Sequence, residues 1–269
     1  MGILKTIFLG FIQGVTEFLP ISSSGHLSLM DRIFPGGDAD VLFFTITHLG
    51  TMLATFVVFR KEISNILVSF KDLLPNMKKG ELVSSQSMMF YIIIGSVPTG
   101  LAGIILADKF EAFIENINFV GVMFMVTGLI LLTTRFAQEG SKREGSFGPW
   151  RSFLVGCAQG FAILPGISRS GTTISSILLL KGERAFAGRL SFLMSLPAIL
   201  AANLLEFRHV IKQGAGNCIS FSHILGFVVS FIVGFFSLKL LLRLVEQGKF
   251  HYFAYYCFAI GLYSLFVVS

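Results

Sequence analysis

The sequence predicts an all-α integral membrane protein, and three observations support this fold class. First, the 269-residue chain is 54% hydrophobic and only 13% charged, whereas soluble domains are about 25% charged. Second, its mean hydropathy is +0.78, and 30 Phe residues outnumber 15 acidic residues. Third, several apolar stretches approach the roughly 20 residues that a helix needs to cross the hydrocarbon layer. Because too few charges remain to cover a water-facing surface, a soluble globular protein is excluded.

Six apolar stretches are predicted to be complete transmembrane helices. They cover residues 41–59, 88–107, 117–134, 190–205, 223–242 and 252–268. Two others, residues 3–30 and 152–180, are interrupted in the middle by a cluster of Pro, Ser and Gly. Proline lacks a backbone donor, and glycine weakens a helix. We therefore expect each interrupted stretch to form two short helices joined by a turn at membrane depth, as a re-entrant hairpin that enters and leaves on one side.

The two interrupted stretches repeat one pattern of residues. The pattern is Gly10, Gln13, Gly14, Leu19, Pro20, Ile21, Ser22, Ser24 and Gly25 in the first copy and Gly156, Gln159, Gly160, Leu164, Pro165, Ile167, Ser168, Ser170 and Gly171 in the second. Chance similarity between glycine-rich apolar segments is the alternative explanation. Three spans follow each hairpin, so the second unit is expected to be inverted relative to the first. We predict inverted repeats at residues 1–134 and 150–269, joined by a cytoplasmic linker at 135–149.

Basic residues predict how these repeats are oriented. In this topology, fourteen Lys and Arg residues fall on one side of the membrane and five on the other. Basic loops are retained in the cytoplasm, so both termini and the first hairpin are expected to open to the extracytoplasmic side. Residues 60–81 are predicted to form a basic amphipathic helix on the cytoplasmic surface. The net charge of +6 therefore reflects topology and does not indicate a nucleic-acid partner.

Four ionisable side chains lie at membrane depth, away from the predicted loops. They are Glu17, His26, His48 and Arg169. Each costs a few kcal/mol to insert into a membrane, so each is a candidate site residue. His48 lies inside a predicted span, where we expect a hydrogen-bonded core residue rather than a proton carrier. The other three lie in the repeated hairpins and are the stronger candidates.

The repeat predicts an anionic substrate. Arg169 occupies the position that Ser23 has in the first copy, so pseudo-symmetry brings an arginine and a serine towards a common centre. The guanidinium fork suits phosphate, and the turn before a half-helix presents backbone N–H groups to an anion. The alternative is that Arg169 only pairs with Glu17 across the repeat.

Hydrolysis of a phosphoanhydride needs a nucleophile, a group that activates it and positive charge on the transferred phosphoryl group. The first hairpin supplies three hydroxyls, those of Ser22, Ser23 and Ser24. Helix capping is the alternative role for these serines. Gln13 and Glu17 are four residues apart and share a helix face. Their oxygens could hold a divalent cation such as Mg²⁺ or Ca²⁺, with substrate phosphates completing the shell, or position a water.

These motifs resemble those of the integral-membrane undecaprenyl-pyrophosphate phosphatases of the bacitracin-resistance type. Gln13 and Glu17 are followed by P-I-S-S-S-G-H at residues 20–26, and P-G-I-S-R-S-G-T-T stands at residues 165–173. The resemblance covers essentially the whole chain. It implies an enzyme that removes the terminal phosphate from undecaprenyl diphosphate and so recycles the carrier lipid for peptidoglycan and other envelope polymers. It also implies a divalent cation requirement and an active site on the extracytoplasmic face of the bacterial inner membrane.

The resemblance assigns roles to individual residues. The nucleophile falls on Ser23, the catalytic histidine on His26 and the phosphate-binding arginine on Arg169. Glu17 and Gln13 take the places of the family's acidic pair, which implies metal binding or general acid/base catalysis, and the neutral Gln13 leaves Glu17 with more of that role. The other implied phosphate-binding groups are Ser22, Ser24, Gly25, Ser168, Ser170, Gly171 and Thr173. Because His26 could either activate Ser23 or attack directly, the choice of nucleophile stays open, and we prefer Ser23.

Two other function classes remain at this point. One is a secondary transporter or flippase for a lipid phosphate or another anion, because inverted repeats with broken helices are typical of transporters. The other is a non-catalytic protein that binds lipid anions. A hydroxyl, a histidine and a carboxylate within ten residues of one another favour the hydrolase. The predicted partners are a polyprenyl diphosphate lipid and the membrane, and a homodimer is left open.

Overall fold

The structure is a computed structural model that describes residues 2–33, 41–72, 82–106, 109–212 and 219–268. Those residues are mostly helical, with an isolated β-bridge between Lys142 and Gly182. The α-helices are α1 (Ile3–Phe18), α2 (Ser23–Ile33), α3 (Val41–Val58), α4 (Arg60–Ser69), α5 (Ser84–Leu106), α6 (Phe110–Glu115), α7 (Ile117–Thr133), α8 (Pro149–Phe161), α9 (Arg169–Leu179), α10 (Arg184–Lys212), α11 (Phe221–Glu246) and α12 (Phe253–Tyr263). Short 3-10 helices cover Phe70–Asp72, Thr134–Phe136 and Phe250–Tyr252, and a π-helical segment, Ser264–Val268, follows α12.

Long apolar helices confirm the predicted class of membrane protein. Within the part of the chain that the structure describes, five helices are long and apolar enough to cross a membrane. They are Ser84–Leu106, Ile117–Phe136, Arg184–Arg208, Phe221–Glu246 and Phe250–Val267. Each coincides with one predicted span, although residue 107 of the span 88–107 lies outside the described residues. Apolar side chains such as Leu101 and Ile104 of α5 are exposed, as expected for a lipid-facing surface.

The remaining predicted span, 41–59, continues into a bent helix pair. Leu42–Val58 and Arg60–Ser69 are inclined by 74° to each other across the break at Phe59. α4 buries none of its residues, and Leu67 and Val68 on it are exposed, which is typical of a helix that lies in a membrane interface. The predicted amphipathic helix 60–81 is thus helical over Arg60–Ser69, and residues 73–81 lie outside the described part of the chain.

Both Pro-Ser-Gly clusters interrupt a helix, as predicted. α1 ends at Phe18 and α2 begins at Ser23, while α8 ends at Phe161 and α9 begins at Arg169. Each turn contains one residue in the left-handed region, Ser22 with φ 64° in the first and Gly166 with φ 90° in the second. Glycine adopts this conformation without the steric cost that serine meets. The pairs α1–α2 and α8–α9 are called the first and the second hairpin below.

Repeated glycines allow each hairpin to pack closely against a long helix. These are Gly10 and Gly14 in α1 and Gly156 and Gly160 in α8. A Cβ atom on Gly14 would lie 2.8 Å from Cβ of Val233 in α11, and one on Gly156 would overlap the backbone of Gly95 in α5. Small residues four positions apart let helices approach in this way inside membranes. Part of the repeated pattern therefore serves helix packing.

Four of the helix contacts form two matching pairs. α1 packs against α11, and α8 packs in the same way against α5. α11 also packs against α3, as α5 does against α10. If the helices of the two predicted repeats are aligned in chain order, the contact of α1 with α11 corresponds to that of α8 with α5, and the contact of α3 with α11 corresponds to that of α10 with α5. α1 and α8 therefore each pack against a long helix from the other half of the chain.

The largest hydrophobic core surrounds the second hairpin. Ile174 and Ile177 of α9 are completely buried, together with Phe147, Phe186 and Leu190. Full burial of side chains of this size contributes about 1.5–3 kcal/mol each. This burial fixes the position of α9 and of the backbone of its first residue, Arg169.

Candidate active site

The turns of the two hairpins contact each other inside the protein. A Cβ atom on Gly25 would lie 3.0 Å from Cα of Gly166, and one on Gly171 would lie 3.3 Å from Cβ of Pro20. The hydroxyl of Ser170 donates to the carbonyl oxygen of Phe18 at 2.9 Å. Gly25, Ser170 and Gly171, which were predicted to bind phosphate, therefore lie where one turn packs against the other.

The first serine of each motif caps the helix that follows. Oγ of Ser22 accepts a hydrogen bond from the backbone N–H of Gly25 at 3.3 Å, and Oγ of Ser168 accepts one from Gly171 at 3.1 Å. The hydroxyl two residues later lies 3.4 Å away in the first hairpin and 3.3 Å away in the second. Such caps satisfy backbone donors at a helix start. The capping role that the sequence left open is therefore present in both hairpins.

Glu17 joins the two hairpins at a single carboxylate. Its Oε2 accepts hydrogen bonds from Oγ of Ser23 at 2.8 Å and from Nε2 of Gln13 at 3.1 Å. Its Oε1 forms an ion pair with Nη2 of Arg169. The Glu17 side chain is only 4% exposed, and a buried carboxylate requires such partners. The serine and the arginine that pseudo-symmetry was expected to bring together thus share one carboxylate.

Arg169 retains a donor that this ion pair does not use. Its Nη1 is buried and has no hydrogen-bond partner. An unpaired buried donor costs about 1–3 kcal/mol, and more when it is charged. Arg169 therefore pairs with Glu17 through Nη2, and the N–H groups of Nη1 remain available to an anion.

These groups line a cavity of about 220 Å³. Its polar lining is Thr16, Glu17, Ser22, Ser23, Ser24, His48, Thr99, Gln159, Ser168, Arg169 and Glu206, and its apolar lining is Ala162, Ile163, Ile167, Ala198, Ile199 and Ala202. The side chains of Arg169 and His48 are 22% and 27% exposed, so solvent reaches the cavity. A charged end beside an apolar wall suits a molecule with an anionic head and a hydrocarbon tail.

Six of the predicted site residues line this cavity and six do not. Glu17, Ser22, Ser23, Ser24, Ser168 and Arg169 line it, whereas Gln13, Gly25, His26, Ser170, Gly171 and Thr173 lie outside its lining. Oγ1 of Thr173 donates to the carbonyl oxygen of Arg169 at 2.8 Å and lies 2.6 Å from Oγ of Ser191. Gln13 reaches the site only through its hydrogen bond to Glu17. Both residues support the groups that line the cavity.

His26 is buried and does not line the cavity. Its Nδ1 lies 2.8 Å from the carbonyl oxygen of Ser22, and its Nε2 lies 2.7 Å from the hydroxyl of Tyr256. Its ring stacks on the Tyr256 ring, and the residue is 3% exposed. Both ring nitrogens are therefore engaged elsewhere. The hydroxyl of Ser23 bonds to Glu17, and the contacts of His26 fit a residue that holds the left-handed turn at Ser22.

His48 was expected in the protein core, but it lines the cavity. Its Nδ1 bonds to the carbonyl oxygen of Phe44 at 3.0 Å, as expected for a hydrogen-bonded histidine. Its Nε2, however, lies 3.6 Å from Oε2 of Glu17. One helical turn before it, Oγ1 of Thr45 donates to Oε2 of Glu206 at 3.0 Å. The sequence analysis named His48 as a candidate, but it did not predict that Glu206, Thr99 or Gln159 would line the site.

A divalent cation beside Glu17 would need a shell of at least about six oxygen ligands. Among the described residues, no three His, Cys, Asp or Glu side chains form a group that could hold a metal ion. The oxygens near Glu17 come from one carboxylate and from serine hydroxyls, and Oε1 of Gln13 is buried without a hydrogen-bond partner. Such hard oxygen donors suit Mg²⁺ or Ca²⁺. The donor type fits, but the described protein groups supply only part of a coordination shell.

Comparison with known proteins identifies the family. Residues 6–263 match the family described as "Bacitracin resistance protein BacA". The chain belongs to this family. Three relatives named "Undecaprenyl-diphosphatase" come from Desulfosudis oleivorans, Methanosphaera stadtmanae and Korarchaeum cryptofilum. They are 39%, 37% and 38% identical over 273, 273 and 264 residues, which is 98%, 98% and 97% of this chain and 98% of each relative. The family resemblance that the motifs indicated is confirmed.

Proposed function

We propose that this BacA-family protein is a membrane phosphatase that hydrolyses undecaprenyl diphosphate to undecaprenyl phosphate and inorganic phosphate. The observation that carries the proposal is the hydrogen bond from Ser23 to Glu17, beside an arginine with an unused donor. A nucleophile, its base and a cation for the phosphate are the parts that phosphoryl transfer requires. The names of the relatives identify the lipid substrate. The product is the carrier lipid used in the synthesis of peptidoglycan and other envelope polymers, so the reaction confers bacitracin resistance.

The geometry supports a mechanism in which Ser23 is the nucleophile. Its Oγ–H already points to Glu17, which accepts the proton as Oγ attacks the terminal phosphorus. The Oγ–P bond forms, and the anhydride P–O bond breaks with its electron pair leaving on undecaprenyl phosphate. Nη1 of Arg169 donates to the phosphoryl oxygens, where negative charge increases. Water then attacks the phosphoserine, the Oγ–P bond breaks, and the proton on Glu17 returns to Ser23, while the hydrogens of the water leave with inorganic phosphate.

The contacts of His26 favour serine over histidine as the nucleophile. A histidine that attacks phosphorus needs a free ring nitrogen facing the substrate. In His26 one ring nitrogen is within hydrogen-bond distance of the Ser22 carbonyl and the other of the Tyr256 hydroxyl. We assign His26 a positioning role, in which it fixes the turn that presents Ser23. His26 thereby acts on the reaction without contacting the phosphate.

A divalent cation, Mg²⁺ or Ca²⁺, is part of the proposal. Glu17, assisted by Gln13 and the serine hydroxyls, would hold it together with the diphosphate. The cation supplies positive charge that neutralises the phosphate oxygens. Because the described protein oxygens are too few to complete its shell, we expect it to bind mainly as a complex with the substrate. This dependence on substrate distinguishes the site from a resident metal centre.

We also propose that the two units form inverted repeats with re-entrant hairpins. The matched contacts of α1 with α11 and of α8 with α5 support this arrangement. The excess of basic residues on one side supports a plasma membrane location with the termini and the site on the extracytoplasmic face. The phosphatase would then act on lipid that reaches the outer leaflet. The homodimer that the sequence left open stays a prediction.

One assay separates the phosphatase from a transporter or flippase. Purified protein in detergent is incubated with undecaprenyl diphosphate, with and without EDTA, and released inorganic phosphate is measured. Because detergent removes any membrane gradient, we expect phosphate release in the absence of EDTA and strong inhibition in its presence. A protein that binds the lipid but releases no phosphate in the presence of Mg²⁺ or Ca²⁺ would support the carrier instead.

A further inference from the structure

Gln159 of α8 lines the cavity with an amide that the mechanism above does not use. The residue is 1% exposed, and it lines the cavity together with Thr99 of α5. Nε2 of Gln159 donates to Oγ1 of Thr99 at 3.0 Å. Among the described residues, none donates a hydrogen bond to Oε1 of Gln159. Buried acceptors in folded proteins are nearly always paired, so an unpaired one beside a cavity points to a ligand or a water molecule.

The contacts of Thr99 fix the orientation of this amide. Oγ1 of Thr99 lies 3.0 Å from the carbonyl oxygen of Gly95 and 3.1 Å from that of Gly156. A carbonyl oxygen only accepts hydrogen bonds, so the single hydroxyl hydrogen of Thr99 is used there. Oγ1 can therefore only accept from Gln159, which places the amide nitrogen at Thr99. The unpaired atom of Gln159 is thus the amide oxygen, which requires a donor.

The repeat counterpart of Gln159 has a different contact. Nε2 of Gln13 donates to Glu17, and Gln13 does not line the cavity. The position aligned with Glu17 in the second hairpin is Ile163, which has no group to accept a hydrogen bond. The amide of Gln159 bonds to α5 instead. Of the two aligned glutamines, only Gln159 presents a polar group at the cavity.

Two residues that line the cavity have an unpaired buried atom, within the part of the chain that the structure describes. Nη1 of Arg169 is a donor, whereas Oε1 of Gln159 is an acceptor. An ionised phosphate group offers only acceptor oxygens, so it suits Arg169 and not the amide oxygen. A water molecule beside the phosphate has the O–H donors that Gln159 needs. A phosphate and a water molecule together therefore satisfy both residues.

The place of Gln159 agrees with the direction from which this water must attack. Ala162 and Ile163 follow Gln159 closely along the chain and belong to the apolar lining, which suits the hydrocarbon tail. The lipid phosphate therefore leaves towards this wall. In phosphoryl transfer the attacking and leaving oxygens lie roughly in line. Water that hydrolyses the phosphoserine must therefore enter opposite Oγ of Ser23, where the lipid phosphate was.

We propose that Gln159 binds and orients the water that hydrolyses the phosphoserine. This proposal rests on the phosphatase function above. Oε1 accepts one O–H of the water and so turns a lone pair of the water oxygen towards phosphorus. The water oxygen bonds to phosphorus, and the Oγ–P bond breaks with its electron pair on Ser23, which takes the proton from Glu17. Both water hydrogens leave with inorganic phosphate, and the amide neither gains nor loses a proton.

The two products of a single turnover report the two steps separately. With purified full-length protein in excess over undecaprenyl diphosphate, undecaprenyl phosphate measures formation of the phosphoserine, and inorganic phosphate measures its hydrolysis. Gln159→Met keeps the length of the side chain and removes the amide oxygen. We expect the lipid product to form within about twofold of the unmodified rate and inorganic phosphate to appear about tenfold more slowly, as for the loss of one hydrogen bond. Phosphoserine at Ser23 should accumulate and be detected by mass spectrometry.

A second variant tests whether Thr99 acts through the amide. Thr99→Val keeps the shape of the side chain but removes the oxygen that orients Gln159, so it should slow inorganic phosphate release by about threefold. Because both changes affect the same water, the double variant should be no slower than Gln159→Met alone. Gln86→Met is the matched control. Gln86 is a buried glutamine whose amide bonds to Ser69 and Val83 away from the cavity, so the ratio of the two rates should stay unchanged.

The ratio of the two rates is a readout that a purely structural role would not change. Equal slowing of both products in Gln159→Met, or unchanged rates of both, would overturn the inference. If Gln159→Met does not fold, Thr99→Val decides by the same ratio, and equal rates of the two products in that variant would overturn the inference as well. If the unmodified protein forms neither product, the phosphatase function itself fails, which is a different result.

Discussion

The two hairpins of this BacA-family protein share a scaffold and differ in chemistry. Both contain glycines that permit close helix packing, a turn with one left-handed residue and a serine that caps the second helix. Equal spacing from Gln13 and Gln159 aligns Glu17 with Ile163, Ser23 with Arg169 and His26 with Thr172. The aligned positions that differ include the three groups that we assign to the reaction.

This difference shows how to interpret a repeat in a membrane enzyme. Residues common to both copies maintain the backbone, as Gly25 and Ser170 do where the turns meet. Residues present in only one copy are free of that constraint, and they include the three that we propose as the nucleophile, its base and the phosphate-binding cation. The proposed active site therefore lies where the symmetry between the hairpins is broken. Substitution of a residue present in one copy should lower the reaction rate, whereas substitution of a shared glycine should lower stability.

The largest effect is expected for Ser23→Ala, which removes the nucleophile. Loss of a nucleophile typically lowers kcat by about 10³-fold or more. The measurement is the initial rate of phosphate release from undecaprenyl diphosphate at saturating substrate. Ser176→Ala is the control, because Ser176 lies in α9 and donates only to the carbonyl oxygen of Thr172. Turnover of Ser23→Ala within tenfold of the unmodified protein would exclude Ser23 as the nucleophile.

The next effect is expected for Arg169→Lys, at the position aligned with Ser23. Lysine keeps the charge but loses the fork that lets one side chain hold both Glu17 and phosphate. We expect kcat to fall about 10²–10³-fold, the usual cost of removing one donor to the transition state. Arg135→Lys, at an exposed arginine, is the control and should be fully active. Equal activity of both variants would show that charge alone is sufficient at this position.

A smaller effect, on stability rather than rate, is expected at the shared glycines. Gly14→Ala and Gly156→Ala each place a methyl group against a neighbouring helix, and overpacking of this kind costs about 1–3 kcal/mol. Both variants should unfold at lower temperature in detergent. Gly100→Ala in α5 is the matched control, because a Cβ atom there meets nothing within 4 Å. If only one of the two hairpin variants is destabilised, the glycines do not have the same role in both copies.

The smallest effect is expected for Tyr256→Phe, which removes one hydrogen bond to His26. A single such bond contributes about 0.5–1.5 kcal/mol, so kcat should fall about 2–10-fold while KM stays unchanged. Phenylalanine preserves the stacked ring, which restricts the change to the hydroxyl. A loss comparable to that of Ser23→Ala would mean that the Tyr256 hydroxyl takes part in the chemistry, contrary to the positioning role of His26.

Much of the fold could be predicted, because membranes restrict the choices. The long apolar stretches had to be helices, and the Pro-Ser-Gly clusters had to interrupt them. Three members of the site, Glu17, Ser23 and Arg169, could also be predicted, since buried charges are rare in such a chain and the repeat brought them together. The bend between α3 and α4 follows from the predicted span 41–59 and the predicted surface helix 60–81, but its angle of 74° could not be predicted, because helix periodicity carries no information about direction after a break.

The rest of the site depended on side-chain directions that a sequence does not contain. A serine or glycine in a turn looks the same whether it caps a helix, packs against another turn or binds phosphate. His26 and His48 are both histidines at membrane depth, yet only His48 lines the cavity. Glu206 stands near the end of a span close to Arg208, where a charge normally marks the membrane surface. Packing of α3 and α10 against the hairpins brings His48 and Glu206 to the cavity.

The stereochemistry at phosphorus tests the serine mechanism most directly. A polyprenyl diphosphate whose terminal thiophosphoryl group is made chiral with oxygen isotopes is hydrolysed in isotopically labelled water, and the configuration of the released thiophosphate is determined. Attack by Ser23 followed by attack of water involves two in-line displacements, each with inversion, so we predict net retention. Net inversion would mean that water attacks the substrate in a single step, and it would contradict a phosphoserine intermediate at Ser23.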